Sequence, residues 1–447
     1  MPGTGPARKR STGLLIGLSV GAVVVLIAVV AIVVIPQLPG GSGVNLANIT
    51  SEPTVGTWEI TGPLGAPNDT EPEYINGITV GQDQAVAFWS VRGDNTETWM
   101  SLINTATGEQ KWGVPVGPGQ LAPLRVLGYQ PNQDYLVVFF DDGFGSAGSM
   151  SVEIATGDFQ TESALIPIRS YASMAGDFIG WDAIAGTVGR YRAHDLSEVW
   201  SVEDRDTITY EDYPAVGESS LVVDGDVFDI SDGSQRSWTM TKGADYWSVG
   251  PALLSVQETD GGKQVTAVDE KSGAEVWTKT IDGSTELVPA RGTDLLAISN
   301  PTDDSTEFLR AKDGEGAGDV DVALNLNGYH LFEWLRFLPE NLPIGQALLP
   351  TDQGSYSLFH WETGELGPSF GTALRLNGPI LIGMTEDIYY DFDLDLGGAD
   401  GSKLRAFDVA SGDQLWEVEA DYPQLLGGNL VATETGYGGK LAGIGVG

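Results

Sequence analysis

No cysteine occurs anywhere in this chain of 447 residues, and there are only three histidines and 23 Lys+Arg against 62 Asp+Glu. The missing cysteine excludes disulfides, thiolate metal sites and lipid anchoring through a cysteine. The histidines, His194, His330 and His360, are scattered, and none stands in an H-E-x-x-H or comparable ligand spacing. Positive charge is scarcest beyond the first residues. Arg8, Lys9 and Arg10 are spent in the N-terminal tail, which leaves 20 basic against 62 acidic residues, a charge of −42, over the rest. Such a surface repels nucleic acid and anionic lipid heads, so no nucleic-acid partner is expected. It suits solubility at the cell exterior, salt tolerance or a basic partner, beside plain solvation of exposed strands and loops.

One long apolar run is present. Residues 13–35, GLLIGLSVGAVVVLIAVVAIVVI, carry no charge, enough to cross a hydrocarbon core of about 30 Å at about 1.5 Å per residue. The basic tail 1–12 precedes it and an acidic chain follows, so the positive-inside rule places the tail in the cytosol and the bulk outside. A cleaved signal peptide fits less well, since its apolar region spans only ~7–15 residues and no small-x-small site follows here. Gly13, Gly17 and Gly21 share one helical face and would permit helix dimerisation, although glycine is common in membrane helices generally. Residues 36–54, rich in Pro, Gly, Ser and Asn, read as a spacer, and 55–447 as one domain.

That domain is organised by a repeated unit. LINTATGEQKW (102–112), AVDEKSGAEVW (267–277) and AFDVASGDQLW (406–416) share a small or aliphatic residue, Asp or Asn two positions later, Ser/Thr-Gly, and Trp four residues after the glycine. Each reads as strand, tight turn with glycine at positive φ, and second strand. Weaker copies contain Gly157, Trp200, Gly233 with Trp238, Gly314 and Gly364. The eight turns recur every 36 to 50 residues, the period of four-stranded propeller blades. Runs such as YLVVFF, SLVVD and LLAIS between them predict an all-β fold.

The unit resembles the tryptophan-docking motif of the pyrroloquinoline-quinone-dehydrogenase-like β-propellers. The resemblance covers residues 55 to 447 and implies structural docking roles for Gly108, Trp112, Trp200, Trp238, Gly273, Trp277, Gly412 and Trp416. It also implies that the strand around Trp58 completes a blade made by the C-terminal strands YPQLL, NLVATE and KLAGIGV. Eight internal units plus a split one would make nine. With the third or sixth unit discounted, eight blades are expected, and seven remain open. The family's enzymes stack their quinone on a disulfide of adjacent cysteines, which this chain cannot form. No position matches their calcium ligands or catalytic Asp.

Asp391, Asp393 and Asp395 alternate in YYDFDLDLGGADG, with Asp400 beyond, so a strand would put three carboxylates on one face, requiring water or a cation such as calcium. The EF-hand pattern fails, with Leu396 where its Gly and Ser402 where its Glu would stand. Gly143 to Gly148 has dinucleotide-loop spacing but leads into a strand, not a helix N-terminus, and reads as a hairpin loop. Gly17 to Gly21 matches G-x-S-x-G inside the apolar run, where a nucleophile elbow has no meaning. His194 and His360 fall in docking turns. The segment 329–343, YHLFEWLRFLPENLP, reads as a buried inner strand or as a groove gripping a partner or glycan. The expectation is a single-pass envelope protein with no cofactor, acting as a non-catalytic binding or scaffolding module for an envelope protein or glycan. The competing class is a quinone- or metal-dependent oxidoreductase, or a solute receptor, using the central channel.

Overall fold

The computed structural model describes residues 46–446 apart from 93–95, 119–124, 127–133, 142–146, 164, 171–176, 183–184, 204–214, 291–293, 301, 304, 321–345, 351–355, 361–364, 371–379, 394–401 and 434–438. Every regular element among the described residues is a β-strand. The strands group into nine antiparallel sheets, eight four-stranded and one three-stranded. Sheets 1 to 8 follow the chain as simple meanders: residues 71–118, 125–163, 165–203, 215–239, 245–281, 286–320, 346–370 and 380–419. Sheet 7 is the three-stranded one. Sheet 9 combines Gln424–Leu426, Asn429–Thr433 and Leu441–Gly445 with the N-terminal strand Thr54–Ile60.

The expected count of eight is therefore corrected to nine sheets among the described residues. The third and sixth units, discounted for a missing Gly or Trp, each form four strands. Strand pairing needs only backbone hydrogen bonds and apolar faces, so losing a docking pair does not delete a sheet.

The closing of sheet 9 matches the expectation for Trp58. Thr54–Ile60 runs antiparallel to Leu441–Gly445, with Thr54 opposite Gly445 and Ile60 opposite Leu441. The first strand of sheet 9 touches the first strands of both sheet 8 and sheet 1. The succession of sheets thus returns on itself, which defines a β-propeller.

The apolar residues are sorted between sheets rather than into one central core. Val86, Phe88 and Met100 of sheet 1 pack with Leu136, Val138 and Met150 of sheet 2. Leu254 and Val265 of sheet 5 pack with Leu296 and Leu309 of sheet 6, and Trp89 and Ile103 of sheet 1 with Val431 and Leu441 of sheet 9. A strand inside such a stack is covered on both faces, so Ala252 to Val256 is buried without alternation. This is why the sequence shows continuous apolar runs where a sheet with one wet face would alternate.

The segment read as a spacer ends earlier than expected. Leu46 and Ile49 are buried with Tyr390, Leu404 and Trp416. Leu46 and Ile49 thus already belong to the packed body. The apolar run 13–35, Gly13, Gly17 and Gly21 lie outside the described residues, and so does the aromatic segment 329–343. Among the described residues no helix is long and apolar enough to cross a membrane.

Candidate functional site

Four of the docking turns, at Asn104, Asp229, Asp269 and Asp408, are built locally by an Asp or Asn. In the first, the Gly108 N–H donates to the Asn104 carbonyl at 2.8 Å, while Asn104 Oδ1 accepts from the N–H groups of Ala106 and Thr107, both at 3.0 Å. Asp269 and Asp408 do the same for Ser272 and Ser411, each at 2.8 Å. The Ser272 hydroxyl, followed by its backbone N–H, holds the Asp269 carboxyl below its ordinary range. For Asp408 the backbone N–H of Ser411 is the leading cause.

On the glycines of five receiving turns lies the tryptophan of the sheet before. Trp58 covers Gly108 and donates its indole N–H to the Thr105 carbonyl at 3.1 Å. Trp112 covers Gly157 and reaches Ile154 at 2.9 Å, and Trp200 covers Gly233 and reaches Ile230 at 3.0 Å. Trp277 covers Gly314 and reaches Ala311 at 2.8 Å, and Trp238 lies on Gly273. Where both are present, the acceptor stands three residues before the glycine. A Cβ on Gly108 would sit 2.8 Å from the Trp58 ring, and φ there is +74°, so glycine is required twice over.

Two joints depart from the motif. At the docking position of sheet 2 stands Thr161, and the receiving turn of sheet 3 has Leu196 at φ +56° in place of glycine. With no indole to seat, a side chain fits there. Sheet 7 offers Pro368, and Gly412 receives it.

Trp416 has no following internal turn, since sheet 9 takes its outer strand from the N-terminus. Its indole donates instead to Ile49 at 2.8 Å. Tyr390 fixes that segment, donating to the Ala47 carbonyl at 2.9 Å and accepting from the Ile49 N–H at 2.8 Å. Burial pushes the Tyr390 phenol up to about 12. Residues 46–49 thus supply the segment that receives Trp416, a role the sequence reading missed.

Two further joints are polar. Glu270 of sheet 5 is buried, and its carboxylate accepts from the N–H groups of Glu218 and Ser219 in the hairpin of sheet 4, at 3.2 and 2.5 Å. Gly217 leaves room for it. Arg236 spans the same joint, donating to the Glu270 carbonyl and to Asp229. On sheet 8, Asp391 lies directly opposite Arg405. The guanidinium Nε and Nη2 donate to its two oxygens at 2.7 and 3.1 Å, and Nη1 lies 3.6 Å from Asp393. Asp391 is fully buried and Arg405 nearly so. Burial pushes the Asp391 carboxyl up to about 6 against the pull of Arg405, so at neutral pH the pair is ionic.

The counter-charge expected for the alternating aspartates is therefore a guanidinium of the chain itself. Asp391 is also not part of a solvated hairpin. Asp395 and Asp400 lie outside the described residues, and among those described no group of three His, Asp or Glu could hold a metal. His194 pairs with Asp195 at 3.1 Å in the turn of sheet 3. His360 ends the strand Tyr356–His360, and Gly148 lies in Ala147–Glu153. His330, Gly143 and Gly364 fall outside the described residues.

No protein-family model and no curated protein matches the chain. Among solved structures it is similar to BamB from Moraxella catarrhalis, 13% identical with a TM-score of 0.37, over 72% of this chain and 97% of that one. AztD from Citrobacter koseri is 11% identical with a TM-score of 0.41, over 85% and 100%. Sqt1 from Saccharomyces cerevisiae is 12% identical with a TM-score of 0.41, over 83% and 94%. Likeness at this level carries no argument about chemistry or partners. The class of the molecule, a β-propeller with tryptophan-docked sheets, rests on its own strand order, closure and docking register.

Proposed function

We propose that this protein is a membrane-anchored, extracytoplasmic propeller of the quinone-dehydrogenase-like type that works as a non-catalytic binding or scaffolding module of the cell envelope. The observation that carries the reading is where the charged groups at the joints are used. Glu270, Arg236, Asp391 and Arg405 each join neighbouring strands or sheets and face one another. Such pairs fix the ring's geometry and present no free acid, base or nucleophile to a substrate. A rigid ring of nine sheets offers long faces and loop clusters to a macromolecular partner.

The anchor rests on the uncharged run 13–35 behind Arg8, Lys9 and Arg10. The partner class is an envelope protein or glycan, and the strong negative charge favours one with a basic surface. Crosslinking of intact envelopes carrying the full chain tests this. A discrete adduct is expected, lost when Trp277→Ala loosens the ring. The reading fails if no adduct depends on the folded ring while a purified preparation turns over quinone or solute.

A further inference from the structure

The segment Leu46–Ile60 is a strap across three consecutive sheets. Ile49 receives Trp416 of sheet 8, Thr54–Ile60 pairs with Leu441–Gly445 of sheet 9, and Trp58 docks on Gly108 of sheet 1. Lys440 and Glu59, 381 residues apart, add an ion pair at 2.7 Å. All of these partners except the Gly108 turn come from the last part of the chain. The strap is joined in the chain to sheet 1 through residues 61–70, which hold two glycines and two prolines. Leu64 in that loop is 49% exposed, and the side chain of Gln110 holds the loop by bonds to the Leu64 N–H and the Gly62 carbonyl. Ten extended residues reach up to ~35 Å.

Synthesis order leaves this strap waiting. Its pairing strand follows some 380 residues later, which at ~5–20 residues per second is a delay of roughly 20–75 s. Throughout that time the strap has no partner strand, and any finished ring that lacks its own strap presents an open edge on Leu441–Gly445. A second copy's strap has the identical sequence and fits that edge by construction.

We propose that the strap is exchanged between copies: the Leu46–Ile60 segment of one chain closes the ring of a second, and the reverse, in a reciprocal two-fold dimer. The exchange needs only the described body, so its failure leaves the anchored-module reading intact.

The absence of native cysteine makes the test clean. Thr54 is exposed and stands opposite Gly445, and a Cβ on Gly445 would meet only Thr57, at 3.8 Å. Opposed residues of an antiparallel pair lie within disulfide reach. Full-length Thr54→Cys and Gly445→Cys chains with different tags are co-expressed and mildly oxidised. Gly261→Cys with Gly445→Cys sets the background of chance collisions, and Thr54→Cys/Gly445→Cys in one chain checks the register. The expected result is a tag-to-tag disulfide several-fold above background. Background-level crosslinking while the double variant closes within its own chain overturns the proposal, and so does a double variant that closes neither way.

Discussion

Trp416 donates its indole N–H to the carbonyl of Ile49 at 2.8 Å, across 367 residues of chain. The bond has the form of the Trp112–Ile154 and Trp200–Ile230 joints, except that its acceptor arrives from the other end of the molecule. Trp416→Phe keeps an aromatic ring but leaves a buried carbonyl unpaired, at a cost of about 1–3 kcal/mol. Ile49→Ala, which empties the apolar side of the same joint, should cost about 2–4 kcal/mol. Denaturant unfolding of the two single variants and the double checks this, and strict additivity would mean that the two residues do not share a joint.

Closure as a whole is tested by truncation. A chain beginning at Leu46 should melt as the intact body does, whereas one beginning at Thr61 loses the strap and exposes the edge of Leu441–Gly445. The shorter chain should melt at lower temperature and associate with rising concentration. Equal melting temperatures with both chains monomeric would reduce the strap to an appendage.

Trp277 and Gly314 form one docking pair. Trp277→Ala should cost about 3–5 kcal/mol through the cavity it leaves. Gly314→Ala should cost about 1–3 kcal/mol, since φ is +71° and its Cβ would fall 2.7 Å from the ring. In the double variant the clash disappears with the indole, so the combined cost should fall below the sum. A melting temperature unmoved by Trp277→Ala would remove the structural role assigned to this motif.

The Asp391–Arg405 pair makes two expectations. Arg405→Met alone leaves the buried Asp391 carboxylate without its partner and should cost about 3–5 kcal/mol at neutral pH, whereas Asp391→Leu/Arg405→Met together should cost far less. Its pH dependence follows from the raised carboxyl. The folded chain keeps a proton that the unfolded chain releases, so this group's stabilisation is complete below its ordinary value of 3.8 and is lost as pH rises through about 6. The turn carboxyls of Asp232, Asp269, Asp282 and Asp408 are lowered and act oppositely, contributing above pH 3.8 and failing below it. Thermal melts should therefore hold or rise from pH 7 to 5 and fall below about pH 4. Asp391→Asn should abolish the rise between 7 and 5; its persistence would assign that rise to other groups.

Much of this architecture was legible in the sequence because the docking joint is local and periodic. Asn104, Gly108 and Trp112 stand in one hairpin, so their spacing survives as a motif, and the strand around Trp58 was recognisable as the piece that closes the ring. What was hidden depends on register between distant segments. Ile49 offers a backbone carbonyl, which leaves no trace in residue type, and its neighbours Ala47 and Asn48 have no apolar period. Arg405 neutralises Asp391 from the next strand, 14 residues on, so the run YYDFDLD taken alone looked like a solvated or cation-binding hairpin. Glu270 occupies the place that Ile154, Ile230 and Ala311 fill in other turns, and only the facing Gly217 explains a carboxylate there. The count of sheets was misjudged for the same reason, since Leu196 and Thr161 mark an altered joint and not a missing sheet.

The placement of this ring outside the membrane is tested most directly by single-cysteine labelling of the full chain in intact cells. Asn68 is exposed in the loop before sheet 1, and Ser11 belongs to the basic tail. A membrane-impermeant maleimide should label Asn68→Cys in whole cells and Ser11→Cys only after the cells are opened. Labelling of Ser11→Cys in whole cells, or protection of Asn68→Cys until lysis, would contradict an extracytoplasmic propeller held by an N-terminal anchor.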